Sequence, residues 1–118
     1  MNTSSEKVCT AELDRFCDAL WLEDGLAPRS LESYRRDLNQ FFAWLAQKNV
    51  APHQARRGDI ELFLAHRTFD EDIAARSLAR QLTAIKRYHR WLLRESRRGD
   101  DPSLTIDAPR MPKPLPKT

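Results

Sequence analysis

Eight of the chain's twenty basic residues crowd into residues 75–98, "ARSLARQLTAIKRYHRWLLRESRR", beside a single acid, Glu95. Seven of the eight are arginine, whose planar fork of N–H donors matches phosphate oxygens and guanine edges two bonds at a time. Spacing organises them. With Arg76 as origin and about 100° per residue, Arg80, Arg87, Arg94 and Arg98 fall between about 0° and 40°. Arg90, Arg97 and Lys86 fall between about −40° and −80°, and the short hydroxylated Thr83 sits inside the stripe near −20°. Leu78, Leu82, Ile85 and Leu92, with His89, occupy the opposite wall at about 160° to 240°. One flank of this helix is core and the other is almost purely cationic.

Such a flank repels itself. Arg76–Arg80, Lys86–Arg90, Arg90–Arg94 and Arg94–Arg98 are like-charge pairs at i, i+4, together costing about 1–2 kcal/mol. A solvated face normally mixes signs, so the repulsion calls for an offset, and a phosphate backbone supplies one. Charge is polarised along the chain as well. Residues 10–25 carry Glu12, Asp14, Asp18, Glu23 and Asp24 against Arg15 alone, a pattern that points to a directional partner. A second polar edge, Arg29, Ser33, Arg36 and Gln40, reads equally as a groove-facing surface or an ordinary exposed one.

Other chemistries find little support. His53, His66 and His89 show no metal-ligand spacing with a cysteine or carboxylate, and no glycine-rich phosphate loop, nucleophile elbow or H-E-x-x-H sequence occurs. No cofactor or metal is expected. Cys9 and Cys17 are too few for a disulfide framework, and Cys17 falls on an apolar stripe as a small core residue. The N-terminus lacks an apolar signal region and no run approaches a membrane span, so a cytoplasmic location is expected.

The elements that position the stripe follow from apolar periodicity. At 118 residues with three glycines and seven prolines, the chain reads as one all-α domain, a compact bundle of four helices. The first runs from about Thr10, as N-cap, to Glu23, with Leu13, Phe16, Cys17 and Leu20 inward and Gly25 as its stop. The second starts at Pro28 and runs to about Lys48, burying Leu31, Tyr34, Leu38, Phe41, Phe42 and Leu45. A third begins at Asp59, whose carboxylate caps free N–H groups, and ends near Phe69. The acidic run 70–72 is a turn or the start of the fourth helix, which spans about Ile73 or Ala75 to Ser96. Residues 1–9 read as a flexible N-terminus, 10–99 as the helical domain, and 100–118, with five of the prolines, as an extended linker.

The stretches "ELDRFCDALWLEDGLAPRSLESYRRDLNQFFAWL", "ARSLARQLTAIKRYHRWLLRE" and "DDPS…APRMPKPLPK" together resemble the N-terminal core-binding domain of Xer-type tyrosine recombinases. The match covers about residues 11–117. The resemblance implies a SAM-like four-helix domain of the phage-integrase type that clamps one side of a recombination half-site in duplex DNA. Its second and fourth helices would sit at the major groove. Matching positions give Ser30, Ser33, Tyr34, Arg35 and Arg36 on the second helix, and Arg76, Arg80, Thr83, Lys86, Arg87 and Arg90 on the fourth, as DNA-contacting residues. Tyr34 also reads as core, with its hydroxyl at the surface.

Catalysis in such enzymes belongs to a C-terminal domain, absent here, that carries a nucleophilic tyrosine. The chain alone is therefore expected to bind and not to turn over, to be monomeric in isolation, and to meet a related recombinase subunit in the full-length assembly. The competing reading is a helical interaction module that docks an acidic protein through its basic face.

Overall fold

The computed structural model describes residues 3–107, with side chains from residue 10 onward. Among them are four α-helices and no strand: α1 Thr3–Glu23, α2 Pro28–Gln47, α3 Arg57–Ala65 and α4 Ala75–Arg94. A short 3-10 turn, Pro52–Gln54, precedes α3, and a wide π-type turn over His66–Asp70 follows it.

Three helices stop in the same way. Gly25, Asn49 and Ser96 take left-handed backbone, with φ of 63°, 60° and 55°. The next amide in each case reaches back to the last turn: Leu26 N–H to Leu20 O at 3.3 Å, Val50 to Leu45 at 3.0 Å, and Arg97 to Leu92 at 3.0 Å. Only glycine reaches that conformation without a Cβ penalty. Ser96→Gly is therefore expected to stabilise the domain by about 0.5–1 kcal/mol, read as a raised midpoint in chemical denaturation. At the other end of α2, Pro28 is in the first turn and needs no intrahelical N–H partner.

Leu13, Phe16 and Leu20 of α1, Leu38, Phe41, Phe42 and Leu45 of α2, Ile60, Phe63 and Leu64 of α3, and Leu78, Leu82, Ile85 and Leu92 of α4 close one core. Tyr88 is its hub. Its ring centroid lies 5.8 Å from Phe16, 5.0 Å from Phe42, 5.3 Å from His89 and 6.0 Å from Trp91. Cys17 is buried with the core, as its place on the apolar stripe requires, and burial pushes its thiol above the ordinary value.

His89 is wholly buried. Its Nδ1 lies 2.9 Å from the Ile85 carbonyl and so carries the proton, while Nε2 has no partner among the described residues. Burial lowers its pKa, opposed by the Ile85 hydrogen bond and by Asp100 and Asp101, with Arg98 lowering it further. The folded state thus binds fewer protons here than the unfolded chain. Stability is full above the unfolded value of about 6.5 and falls as pH drops below it. Denaturation midpoints should decline from pH 7.5 to 5.5, and His89→Gln should flatten that decline.

Besides α3 and α4, which end at Ala65 and Arg94, short of Phe69 and Ser96, three boundaries differ from expectation. α1 begins at Thr3, not Thr10, because "TSSEKVCTAEL" contains no proline or glycine to interrupt a helix and ends in good helix formers. Residues 3–9 are accordingly helical backbone. α3 begins two residues before Asp59, whose Oδ2 instead accepts the Arg56 N–H at 2.9 Å, as the fourth-position partner of a capping arrangement.

The third difference lies past α4. Residues 101–107 do not form an extended linker. Asp101 Oδ1 accepts both the amide and the hydroxyl of Ser103 (2.9 and 2.6 Å), and Ser103 and Ile106 are buried against the bundle. The prolines of residues 100–118 mask the single apolar plug, Ile106, that docks this stretch. Residues 108–118, where most of the expected linker falls, lie outside the described residues.

Candidate nucleic-acid interface

Antagonistic charge, not open positive charge, organises the basic flank of α4. Arg80 donates from Nε and Nη2 to the two carboxylate oxygens of Asp37 on α2, at 2.8 and 3.1 Å. Arg94 meets Glu23 at 2.7 Å and Asp24 at 3.9 Å, and Arg87 lies 3.7 Å from Asp24. Beyond the helix, Arg97 pairs with buried Glu12 at 2.8 Å and covers the Trp91 ring, while Arg98 pairs with Asp100 at 2.8 Å and donates to His53 O. Hydrogen bonds to their carboxylates push the Arg80 and Arg97 guanidinium groups still further above their high ordinary range.

Two expectations are corrected by this arrangement. First, α4 ends at Arg94 and Ser96 turns the chain, so Arg97 and Arg98 leave the stripe for different sides. Second, the repulsion is offset inside the molecule. Glu12, Glu23 and Asp24, three of the acids at residues 10–25, neutralise α4 and its C-terminal extension, and a fourth, Asp14, takes Arg35. The polarised charge distribution therefore stitches α1 to its neighbours, and self-repulsion alone does not demand a polyanion.

What remains is a narrower surface along the α2–α4 seam. Contacts shift toward the start of α2 farther along α4: Arg80 and Gln81 meet Asp37 and Gln40, and two turns on the Arg87 guanidinium lies 5.6 Å from the Tyr34 ring centroid. Gln81 is wholly buried and locks the register, donating to Asp37 O and Gln40 Oε1 and accepting from Arg67 Nε at 3.0 Å. Arg67 in turn holds Glu71 at 3.2 Å, which ties the turn after α3 to the same seam.

The expected site residues distribute around it unevenly. Tyr34, Arg80 and Arg87 are brought together, and Ser30 and Ser33 are half-buried on the α4 flank of α2. Arg36, Arg76 and Arg90 are exposed, as is Arg29, with no ion-pair partner among the described residues. Thr83 is exposed, but its hydroxyl donates back to Ala79 O at 3.0 Å. Lys86 reaches the Leu104 carbonyl at 3.4 Å. Arg35 does not join the seam. It projects about 100° away from Arg36 toward α1, where Nη1 meets Asp14 at 2.8 Å.

Asp37, Gln81 and Gln40 are seam residues outside the expected DNA contacts. A signal existed for the first two, since each is a polar residue set against its helix's apolar wall, next to Leu38 and Leu82 respectively. The described residues contain no group of side chains able to hold a metal ion, and no helix long and apolar enough to cross a membrane.

The described residues form an all-α domain of four helices with a basic edge along two of them. Residues 13–96 match the family model "Phage integrase, N-terminal SAM-like domain", and the chain belongs to that family. It is 43% identical over 106 residues to the tyrosine recombinase XerD of Pseudomonas aeruginosa, 41% over 109 to that of Ralstonia nicotianae, and 35% over 105 to that of Vibrio vulnificus. These alignments cover 90%, 92% and 89% of this chain, which spans about a third of each relative's length (35%, 35% and 34%).

Proposed function

We propose that this chain is the DNA-binding part of a site-specific tyrosine recombinase, and that it lays its α2–α4 edge against duplex DNA while a separate domain cleaves and rejoins the strands. One observation carries the reading: in a member of the integrase N-terminal family, four of the six described arginines left without an internal carboxylate, Arg29 and Arg36 on α2 and Arg76 and Arg90 on α4, sit on the two helices of one seam, the other two being Arg15 and Arg56. Charge without an internal counterion is what phosphate contacts require. The edge would clamp a recombination half-site, with a related recombinase subunit on the other half.

Titration of the chain with duplex DNA across a salt series tests this. Log K should fall linearly with log salt, with a slope of roughly −4 for four phosphate contacts. Affinity that stays flat between low and moderate salt would refute it. Capture of an acidic protein that DNA fails to compete away would favour the protein-docking alternative.

A further inference from the structure

We infer that Arg80 reads a guanine edge and that Asp37 is the positioning residue that presents it, an assignment that rests on the DNA-binding reading above. Asp37 is sunk in the seam at 2% exposure, whereas the Arg80 side chain is 42% exposed in front of it. Of the five N–H donors on a guanidinium, Asp37 takes the Nε–H and one on Nη2. The remaining three, on Nη1 and Nη2, form the outer edge of the fork.

Charge decides what that edge suits. The carboxylate directly behind Arg80 cancels most of its positive charge and would repel a phosphate. It leaves the geometry of the donors intact, and guanine N7 and O6 are neutral acceptors that two parallel N–H groups match. The pairing also fixes a long side chain that would otherwise lose its rotamer freedom on binding. Asp37 is itself held, because Gln81 bonds its carbonyl and is clamped by Gln40 and Arg67. The exposed arginines without internal carboxylates have no such backing, so they divide from Arg80 by role. Those serve phosphates, and Arg80 serves a base.

The test is selection from a pool of duplexes with a randomised segment, together with salt titrations on an unselected duplex. The chain with its native sequence should enrich guanine at one position. Asp37→Asn and Arg80→Lys should each lose that preference by about tenfold, while their affinity for the unselected duplex stays within about twofold. Arg76→Ala should keep the guanine and lose about one unit of salt slope.

Retention of the guanine in Arg80→Lys would overturn the assignment. So would uniform weakening of all duplexes by both variants with a slope lower by about one, the mark of a phosphate contact. If Asp37→Asn melts below the assay temperature, Arg80→Lys decides, because its ammonium keeps a charge beside Asp37 but lacks the fork. DNA binding by the native chain without any selected guanine would overturn this proposal alone, whereas no binding to any duplex would overturn the reading of the domain as well.

Discussion

Converting Arg29, Arg36, Arg76 and Arg90 together to alanine is expected to lower affinity for duplex DNA about a thousandfold near 0.1 M salt. Each phosphate contact adds about 0.9 to the slope of log K against log salt, so four should flatten it by between about three and four units. The substitutions fall on exposed positions outside the core, so thermal stability should stay within a few degrees of the native chain. Arg97→Ala is the contrasting variant. Its charge is spent on Glu12 and its plane covers Trp91, so it should lose stability and leave the salt slope nearly unchanged. A quadruple variant whose slope matches the native chain would place the DNA contact elsewhere.

That contrast marks where a helical wheel stops being informative. Periodicity placed Leu78, Leu82, Ile85 and Leu92 in the core and put the basic residues opposite, because both follow from about 100° per residue along one helix. It says nothing about which carboxylates on other helices stand across from those arginines. Glu12, Glu23 and Asp24 lie 60 or more positions before their partners in the chain, so their pairings are set by how α1 packs on α4. Read one helix at a time, a neutralised flank looks like a bare one.

Local chemistry explains the other outcomes. Gly25 and Pro28 framed the α1–α2 connection correctly because each acts within its own turn. Ser96 and Asn49 end helices with the same left-handed backbone, yet neither residue type announces it as glycine does. Ile106 was hidden by its neighbourhood of prolines. Asp37 stands out only when a lone acid beside Leu38 is taken as a demand for a partner, since a buried carboxylate needs one. The adjacent Arg35 and Arg36 show the converse: two identical side chains, one turned to Asp14 and one left facing outward.

Buried acids also set the largest stability effect expected. Glu12 is almost fully buried, and its two carboxylate oxygens are divided between partners: Oε2 accepts the Tyr88 hydroxyl at 2.5 Å and Oε1 meets Arg97 Nη1 at 2.8 Å. Glu12→Ala strips both at once. Tyr88, at the centre of the aromatic core, then keeps a buried hydroxyl that has lost a charge-assisted acceptor, at about 1–3 kcal/mol, and Arg97 loses its counterion. A total of about 3–4 kcal/mol is a large share of what a domain of this size has to lose.

Tyr88→Phe removes the hydroxyl together with its need and should cost about 1–2 kcal/mol. The double variant should cost less than the two single ones combined, because no Tyr88 hydroxyl then remains to lose its Glu12 acceptor. Urea denaturation of the four proteins measures the coupling directly. Strict additivity would mean that the Glu12 carboxylate serves Arg97 alone and that Tyr88 is held by its rings.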